Sequence, residues 1–202
     1  MAMTQPAGAK QKSVDGRRER SVSSRAKIVA AMLDLVEGGD VQPSAARVAE
    51  AAGVGLRTVF RHFDDMDSLY REMSEAIEAR VLPVMLRPFT TGTWREQMRE
   101  LAARRCEVFE AILPYRITAS LKRFQSTFLM QDYRRMLRME RSSIDAILPA
   151  SVHADPVQLS AVHLSLSFQC WRVLRHDQEL GIDAARAVFL RLADAVLEQS
   201  KG

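Results

Sequence analysis

The chain reads as an all-α protein, and three observations predict this. Pro and Gly are few, strand-like alternation of apolar and polar residues is absent, and Ala, Leu, Glu, Arg and Met are abundant in segments whose apolar residues recur at the 3.6-residue period of a helix. With 202 residues, 47% of them hydrophobic and 27% charged, one large domain or two small ones can bury a core. About nine helices are expected.

Taken in order, Ser23 and Ser24 are N-cap candidates for a first helix with Ile28, Met32, Leu35 and Val36 on one face, ended by Gly38-Gly39. Pro43-Ser44 opens a second helix that runs to about Ala52. Gly53 breaks it, and a third short helix runs from about Leu56 to His62. From Met66, the residues Leu69, Tyr70, Met73 and Ile77 line a fourth helix, which Pro83 and Pro88 should kink or stop. Residues 94–113 then read as a helix with Trp94, Met98, Leu101, Val108 and Ile112 near one side. Residues 114–123 read as a short helix, and about 126–148 as a long one with Leu129, Tyr133, Met136, Leu137, Ile144 and Ile147 inward.

The last two helices are apolar on two sides. In the first, one stripe is Val157, Ala161, Leu164, Phe168 and Trp171, and a second is Leu159, Val162, Leu166, Cys170 and Val173. Residues 183–199 repeat the arrangement, with Val188, Leu192 and Ala195 beside Phe189, Leu190, Ala193 and Leu197. A helix apolar on two sides needs two partners. Either the pair is central to its own domain, or it packs partly on its own core and partly on the same pair of a second subunit in a four-helix interface. The interface candidates are Leu159, Val162, Leu166, Val173, Phe189 and Leu197.

Several function classes find no support. No apolar run approaches the roughly 18–20 residues of a membrane span, and residues 1–24 lack a secretory pattern, so no membrane partner and a cytoplasmic location are expected. Cys106 and Cys170 have no metal-ligand spacing and read as reduced core residues. The four histidines are scattered, and no HExxH, GxSxG or glycine-rich phosphate loop occurs, so neither an enzyme nor a cofactor or metal is expected.

Net charge is +4, but its distribution is informative. Residues 1–27 carry seven basic groups against two acidic, whereas residues 28–80 carry five against ten. If this region binds nucleic acid, the basic segment from Lys10 to Lys27 must offset an acidic body.

The stretch "AEAAGVGLRTVFRHF" at 49–63 is patterned too finely for a plain helical hairpin. Two short helices joined by a tight turn need a small residue at the crossing, a glycine in the turn, and apolar residues that pin the second helix. Ala49, Gly53, and Val48, Val54 and Val59 supply these. The remaining positions of the second helix, Leu56, Arg57, Thr58, Arg61 and His62 with Phe60 near the edge, point outward and mix donors with apolar groups, as a major-groove reader does.

The segment "RAKIVAAMLDLVEGGDVQPSAARVAEAAGVGLRTVFRHFDDMDSL" resembles the N-terminal DNA-binding domain of the tetracycline-repressor (TetR) family, most specifically in AEAAGV and in T-aliphatic-aromatic-RHF. The C-terminal "LSFQCWRVLRHDQELGID" is similar to the last two helices of many members. The resemblance implies a three-helix helix-turn-helix domain followed by a helical ligand-binding and dimerisation domain. The implied divisions are a flexible basic arm at 1–24, the DNA-binding domain at 25–70, and the second domain at 71–202, linked by the helix from about 66. It also implies a homodimeric transcriptional regulator, usually a repressor, released from a palindromic operator in double-stranded DNA by a small molecule. The alternative is a dimeric DNA-binding factor that is ligand-independent or partner-regulated.

Carried over, the DNA-contacting positions are Ser44, Arg47, Gly55, Leu56, Arg57, Thr58, Phe60, Arg61 and His62, with Ser44, Thr58 and His62 at the backbone and Arg57 able to bridge a guanine edge. Three positions depart from the family. Gly55 stands where Ser or Thr is common, Phe60 where Tyr is, and Met66 with Asp64, Asp65 and Asp67 where a basic residue is frequent. The implied pocket lies among the helices of 66–148. Its candidates are Met85, Trp94, Met98, Phe109, Phe124, Phe128 and Met136, with Arg104, Arg105 or Glu107 as polar anchors, a set suited to an apolar, aromatic or lipophilic cationic ligand.

Overall fold

The computed structural model describes the backbone of residues 9–200, with side chains described from residue 21 onward. Those residues form ten α-helices and one π-helical turn, with no strand among them. They divide into two compact units, Met1–Ser74 and Glu75–Gly202. The division falls inside the fourth helix.

In the first unit, α1 spans Ala9–Glu37. Ser23 and Ser24 therefore lie within α1 instead of capping it. Residues 9–24 are rich in Lys, Arg, Glu and Gln, which favour helix, and contain only Gly16 as a breaker. The backbone of 9–24 is thus helical where an arm was expected, while residues 1–8 and the side chains of Lys10, Lys12, Arg17, Arg18 and Arg20 lie outside the description. Gly39, at φ +93°, turns the chain after α1. Helix α2 (Ala45–Ala51) and helix α3 (Leu56–His62) follow. Ile28, Met32, Val36, Val48, Val59, Phe63, Leu69 and Met73 form the core of this unit.

Helix α4 (Met66–Met85) runs through Pro83, which has no N–H to give the Ala79 carbonyl, and ends two residues later at Met85. Asp65 receives the Ser68 amide on Oδ1 at 2.8 Å and so has a local structural use at the start of the helix. Helix α5 (Trp94–Lys122) opens with a reciprocal Thr93–Glu96 capping box. It also continues through Pro114, where the sequence suggested two helices. Ile112, Tyr115 and Thr118 are all buried around that proline, and their packing outweighs the lost hydrogen bond.

Helix α6 (Thr127–Asp145) starts from the Ser126 cap, and α7 (Ala150–His153) is one short turn. The long helix expected next is broken in three: α8 (Pro156–Ser165), α9 (Phe168–Arg172) and a π-helical turn (Val173–Asp177). The break has an identifiable cause. Ser167 caps α9 through the Cys170 amide at 3.2 Å, and the groups freed at the break find side-chain partners. The Leu166 carbonyl accepts from Arg105 at 2.6 Å and the Phe168 amide donates to Glu140 at 3.3 Å. Helix α10 (Ile182–Glu198) closes the unit against α5 and α8.

An aromatic cluster centres this second core. Phe109 meets Phe168 and Phe189 edge-on at 5.6 and 6.3 Å, and Trp171 meets Phe189 at 5.7 Å. The buried Trp171 donates to Glu110, which also takes the Arg175 guanidinium bidentately at 2.8 Å. Val162, Leu166, Phe189 and Leu197 are at most 1% exposed, so four of the six residues expected at a subunit interface are spent inside this core. Val157 and Leu164 of α8 and Val188 and Leu192 of α10, on the other stripe of each helix, stay exposed. No helix among the described residues is long and apolar enough to cross a membrane.

Candidate nucleic-acid interface and small-molecule cavity

Helices α2 and α3 meet through a turn that uses the left-handed backbone of one glycine. Gly53 takes φ +64°, its amide donates to the Glu50 carbonyl, and the Val54 amide donates to Ala49 at 3.0 Å. Buried Val48, Ala49 and Val59 then fix α3 against α2, leaving its other face outward. Leu56 and Phe60 are 44% and 50% exposed, Arg57 and Arg61 are exposed, and Thr58 and His62 are half-buried. Neither Arg57 nor Arg61 has an ion pair among the described residues. The face combines two guanidinium groups with two apolar side chains.

The neighbouring positions contribute unequally. Ser44 is exposed and caps α2 by accepting from the Arg47 amide at 3.3 Å, which leaves its hydroxyl proton available. Arg47 is exposed but pairs with Glu50 at 3.1 Å. Gly55 caps α3 without a side chain. Its φ of −72° is open to any residue, and an added Cβ would meet nothing within 4 Å. Burial first, then the charges of Arg61 and Arg25, lowers the His62 pKa below 6.5. At neutral pH it is an uncharged ring, and its Nε2 is buried with no partner.

In the second unit, α4, α5 and α6 enclose a cavity of about 250 Å³ with largely apolar walls, among them Ile77, Val81, Met85 and Ile112. Met85, Arg105, Phe109 and Met136 line it, as the candidate set proposed. The other four do not. Met98 is fully buried in the core, Trp94 lies under the Arg95 guanidinium at the start of α5, and Phe124 is 76% exposed; Phe128, half-buried on α6, is outside the lining. Of the further anchors, Arg104 binds the Arg87 and Pro88 carbonyls and Glu100, and Glu107 is exposed.

The polar groups of the cavity are Glu78, Arg105, Arg116, Glu140 and Ser143. Arg105 is 1% exposed and bonds the Leu166 and Glu140 carbonyls and the Ser143 hydroxyl at 2.5–2.8 Å. Burial pulls its pKa down to about 10, against the Glu140 carboxylate, which raises it. Arg116 was missed from sequence. It lies three helical turns beyond Arg105 on the same stripe of α5, a spacing hidden by ending that helix at Pro114. It also borders a second, more polar cleft of about 410 Å³ with Arg123, Tyr133, Phe168, Arg172 and His176. Among the described residues no group of three or more His, Cys, Asp or Glu could hold a metal ion.

No protein-family model matches the chain, and no curated protein matches it. Solved structures do. A transcriptional regulator from Rhodococcus sp. Rha1 superposes with a TM-score of 0.64 at 13% identity, over 87% of this chain and 97% of that one. The multidrug binding protein EbrR, complexed with imidazole, superposes with a TM-score of 0.56 at 20% identity, over 83% and 88%. The likeness is one of fold: this chain shares the all-helical, two-unit architecture of those proteins.

Proposed function

We propose that this protein is a homodimeric DNA-binding transcriptional regulator of the tetracycline-repressor kind, a repressor released from a palindromic operator by a small, mainly apolar or aromatic effector. The observation that carries the reading is the outward face of α3. A seven-residue helix whose only buried residue is Val59 would ordinarily carry only solvated side chains, yet it presents Leu56, Arg57, Phe60 and Arg61 together. Arg57 and Arg61 read base edges or phosphates, Ser44, Thr58 and His62 contact the backbone, and Leu56 and Phe60 meet thymine methyl groups or sugars. The fold shared with a transcriptional regulator and with a multidrug binding protein supports the same reading.

The subunits pair through the outward stripes Val157, Ala161 and Leu164 of α8 and Val188, Leu192 and Ala195 of α10. Each follows the i, i+4, i+7 spacing of one helix face, on two helices that pack against each other. The cavity holds the effector. Helix α4 carries Leu69 and Met73 in one unit and Ile77 and Met85 in the other, so a ligand that shifts it changes the separation of the two α3 helices in the dimer. That separation must match successive major grooves, about 34–36 Å. A ligand favouring the mismatched dimer releases DNA by population shift.

The test is footprinting on the intergenic DNA upstream of the protein's own gene, with Arg57→Ala and Thr58→Ala beside wild type. A protected palindrome lost in both variants is the expected result. Protection indifferent to both substitutions, or no preferred sequence, would remove α3 from the account.

A further inference from the structure

The cavity between α4, α5 and α6 keeps its polar groups together. On α5, Arg105, Phe109, Ile112 and Arg116 follow at spacings of four, three and four, so one stripe carries two guanidinium groups with apolar side chains between them. Arg105 is committed to the fold, because it satisfies the carbonyl freed where α8 breaks from α9. Arg116 is less so. Its side chain is only 10% exposed; Nη1 meets Glu140 Oε1 at 3.3 Å and the Met136 sulfur at 2.9 Å, and the guanidinium lies 4.4 Å from the Phe168 ring centroid. Its Nη2 is buried with no acceptor, as is Nε of Arg105.

The carboxylates at hand do not meet this need. Glu140 already serves Arg116 through Oε1 and the Phe168 amide through Oε2. Glu78 is held by both Nη atoms of Arg135, which also holds Asp132. At the other end Leu82, Leu86 and Met139 line the cavity and are 39%, 70% and 48% exposed, so the opening is apolar and the cationic groups lie inside. A buried N–H without an acceptor is costly, and a carboxylate is the strongest partner for a guanidinium.

We propose that the cavity binds a small amphipathic carboxylic acid, its carboxylate accepting from Arg116 and its hydrocarbon chain or ring lying against Ile77, Val81, Met85 and Ile112. This rests on the reading of the cavity as the effector site and names the effector's chemical class. An organic cation would find Glu140 already committed to Arg116 and the Phe168 amide, and Glu78 to Arg135. It would also set like charge beside two buried guanidinium groups, while a neutral alcohol would give Arg116 only a weaker acceptor. The volume, at the small end for ligand sites, suits a short chain or a single ring.

The experiment is calorimetric titration of the full chain with octanoate, 1-octanol and octylamine, three headgroups on one tail. Octanoate should bind about ten-fold more tightly than octanol, the margin of a charge-assisted hydrogen bond, and octylammonium should not bind measurably. Arg116→Met should bring octanoate and octanol to equal affinity, and Arg116→Lys should keep the acid ahead of the amine. Equal or tighter binding of octanol or octylammonium by wild type, no binding of octanoate, or an acid preference that survives in a folded Arg116→Met protein would each overturn the proposal. Should Arg116→Met fail to fold, the headgroup order in wild type decides alone. Footprinting with saturating octanoate separates the two readings: tight octanoate binding that leaves operator protection unchanged keeps the acid site and removes its role as effector site.

Discussion

Arg25 of α1 donates through Nε to Glu72 of α4 at 2.6 Å, and the same guanidinium also reaches the His62 carbonyl at the end of α3 and lies 4.4 Å from the Phe63 ring centroid. One side chain thus ties three helices of the first unit and satisfies a carbonyl at the C-terminus of α3. Both partners are partly exposed, at 40% and 29%, so the ion pair itself contributes modestly and the orphaned carbonyl and lost ring contact matter more. Arg25→Met is expected to cost about 1–2 kcal/mol by denaturant unfolding. Weaker operator binding should accompany it, with α3 still present by circular dichroism. Undiminished DNA affinity would mean that the position of α3 is set by Val59 and Phe63 alone.

Arg105 should behave as a structural residue. It is buried, and its partners are the Leu166 and Glu140 carbonyls and the Ser143 hydroxyl, so removing it strands the Leu166 carbonyl and leaves the Glu140 carbonyl with the Ser143 hydroxyl. Arg105→Met is expected to destabilise the second unit by about 3–5 kcal/mol, as breaking a buried charged network does. A loss below about 1 kcal/mol in urea unfolding would show that Leu166 and Glu140 find other partners.

The same residues show where sequence reading works and where it stops. Helix α3 was legible to its ends, since a small residue, a turn glycine and valines at fixed offsets leave one geometry for two short helices. Prolines were read unevenly because their rule is local: α4 does end at Met85, between Pro83 and Pro88, yet α5 continues through Pro114, where burial on either side prevails. The break at Ser167 was invisible, since a serine in an apolar run reads the same whether or not a distant Arg105 waits for the freed carbonyl. Two apolar stripes on α8 and α10 were recognised, but which residues turn inward is decided by Phe109 of α5, far away in sequence, against which Phe168 and Phe189 pack.

Acid sensitivity should concentrate at Glu100. Its carboxylate accepts from the Thr91 hydroxyl at 2.6 Å and from the Thr90 amide and hydroxyl, beside Arg104, and these contacts take its pKa from 4.5 to about 2. Because the folded value lies below the unfolded one, the unfolded chain binds the proton first. The stabilisation is complete above pH 4.5 and is lost as pH falls from 4.5 towards 2. Glu100→Gln should therefore be less stable than wild type at pH 7 and lose less on acidification across that window, read from melting temperatures at successive pH values. Parallel pH profiles would assign the acid limb to other carboxylates.

Gly55 offers a gain. Its backbone, φ −72° and ψ 146°, is already that of an N-cap, and a Cβ there meets nothing within 4 Å. Gly55→Ser should place a hydroxyl over the first turn of α3, stabilising it by a few tenths of a kcal/mol. It should also supply a donor to a DNA phosphate and tighten operator binding several-fold, with a slightly changed salt dependence. Gly55→Ala, which adds the Cβ without the hydroxyl, separates the two effects. Equal affinities for the Ser and Ala variants would place the α3 N-terminus away from the phosphates.

Pairing of two subunits can be tested with side chains whose loss leaves the core intact. Leu164 is 68% exposed on α8, whereas Leu166, two residues on, is fully buried. A charge at the first position should change subunit stability by no more than about 0.5 kcal/mol, while truncation of the second should cost about 2–5 kcal/mol through the cavity it leaves. If Val157, Leu164, Val188 and Leu192 form the four-helix interface, Leu164→Glu buries two unpaired carboxylates across a two-fold axis. Sedimentation should then give a folded monomer with a near-native circular dichroism spectrum. Operator affinity should fall steeply, because two half-sites are no longer bound by one particle. Leu166→Ala should do the reverse, lowering the melting temperature while the surviving folded protein stays dimeric. A Leu164→Glu protein that remains dimeric would move the interface off these stripes, leaving their exposed apolar surface without the partner assigned to it.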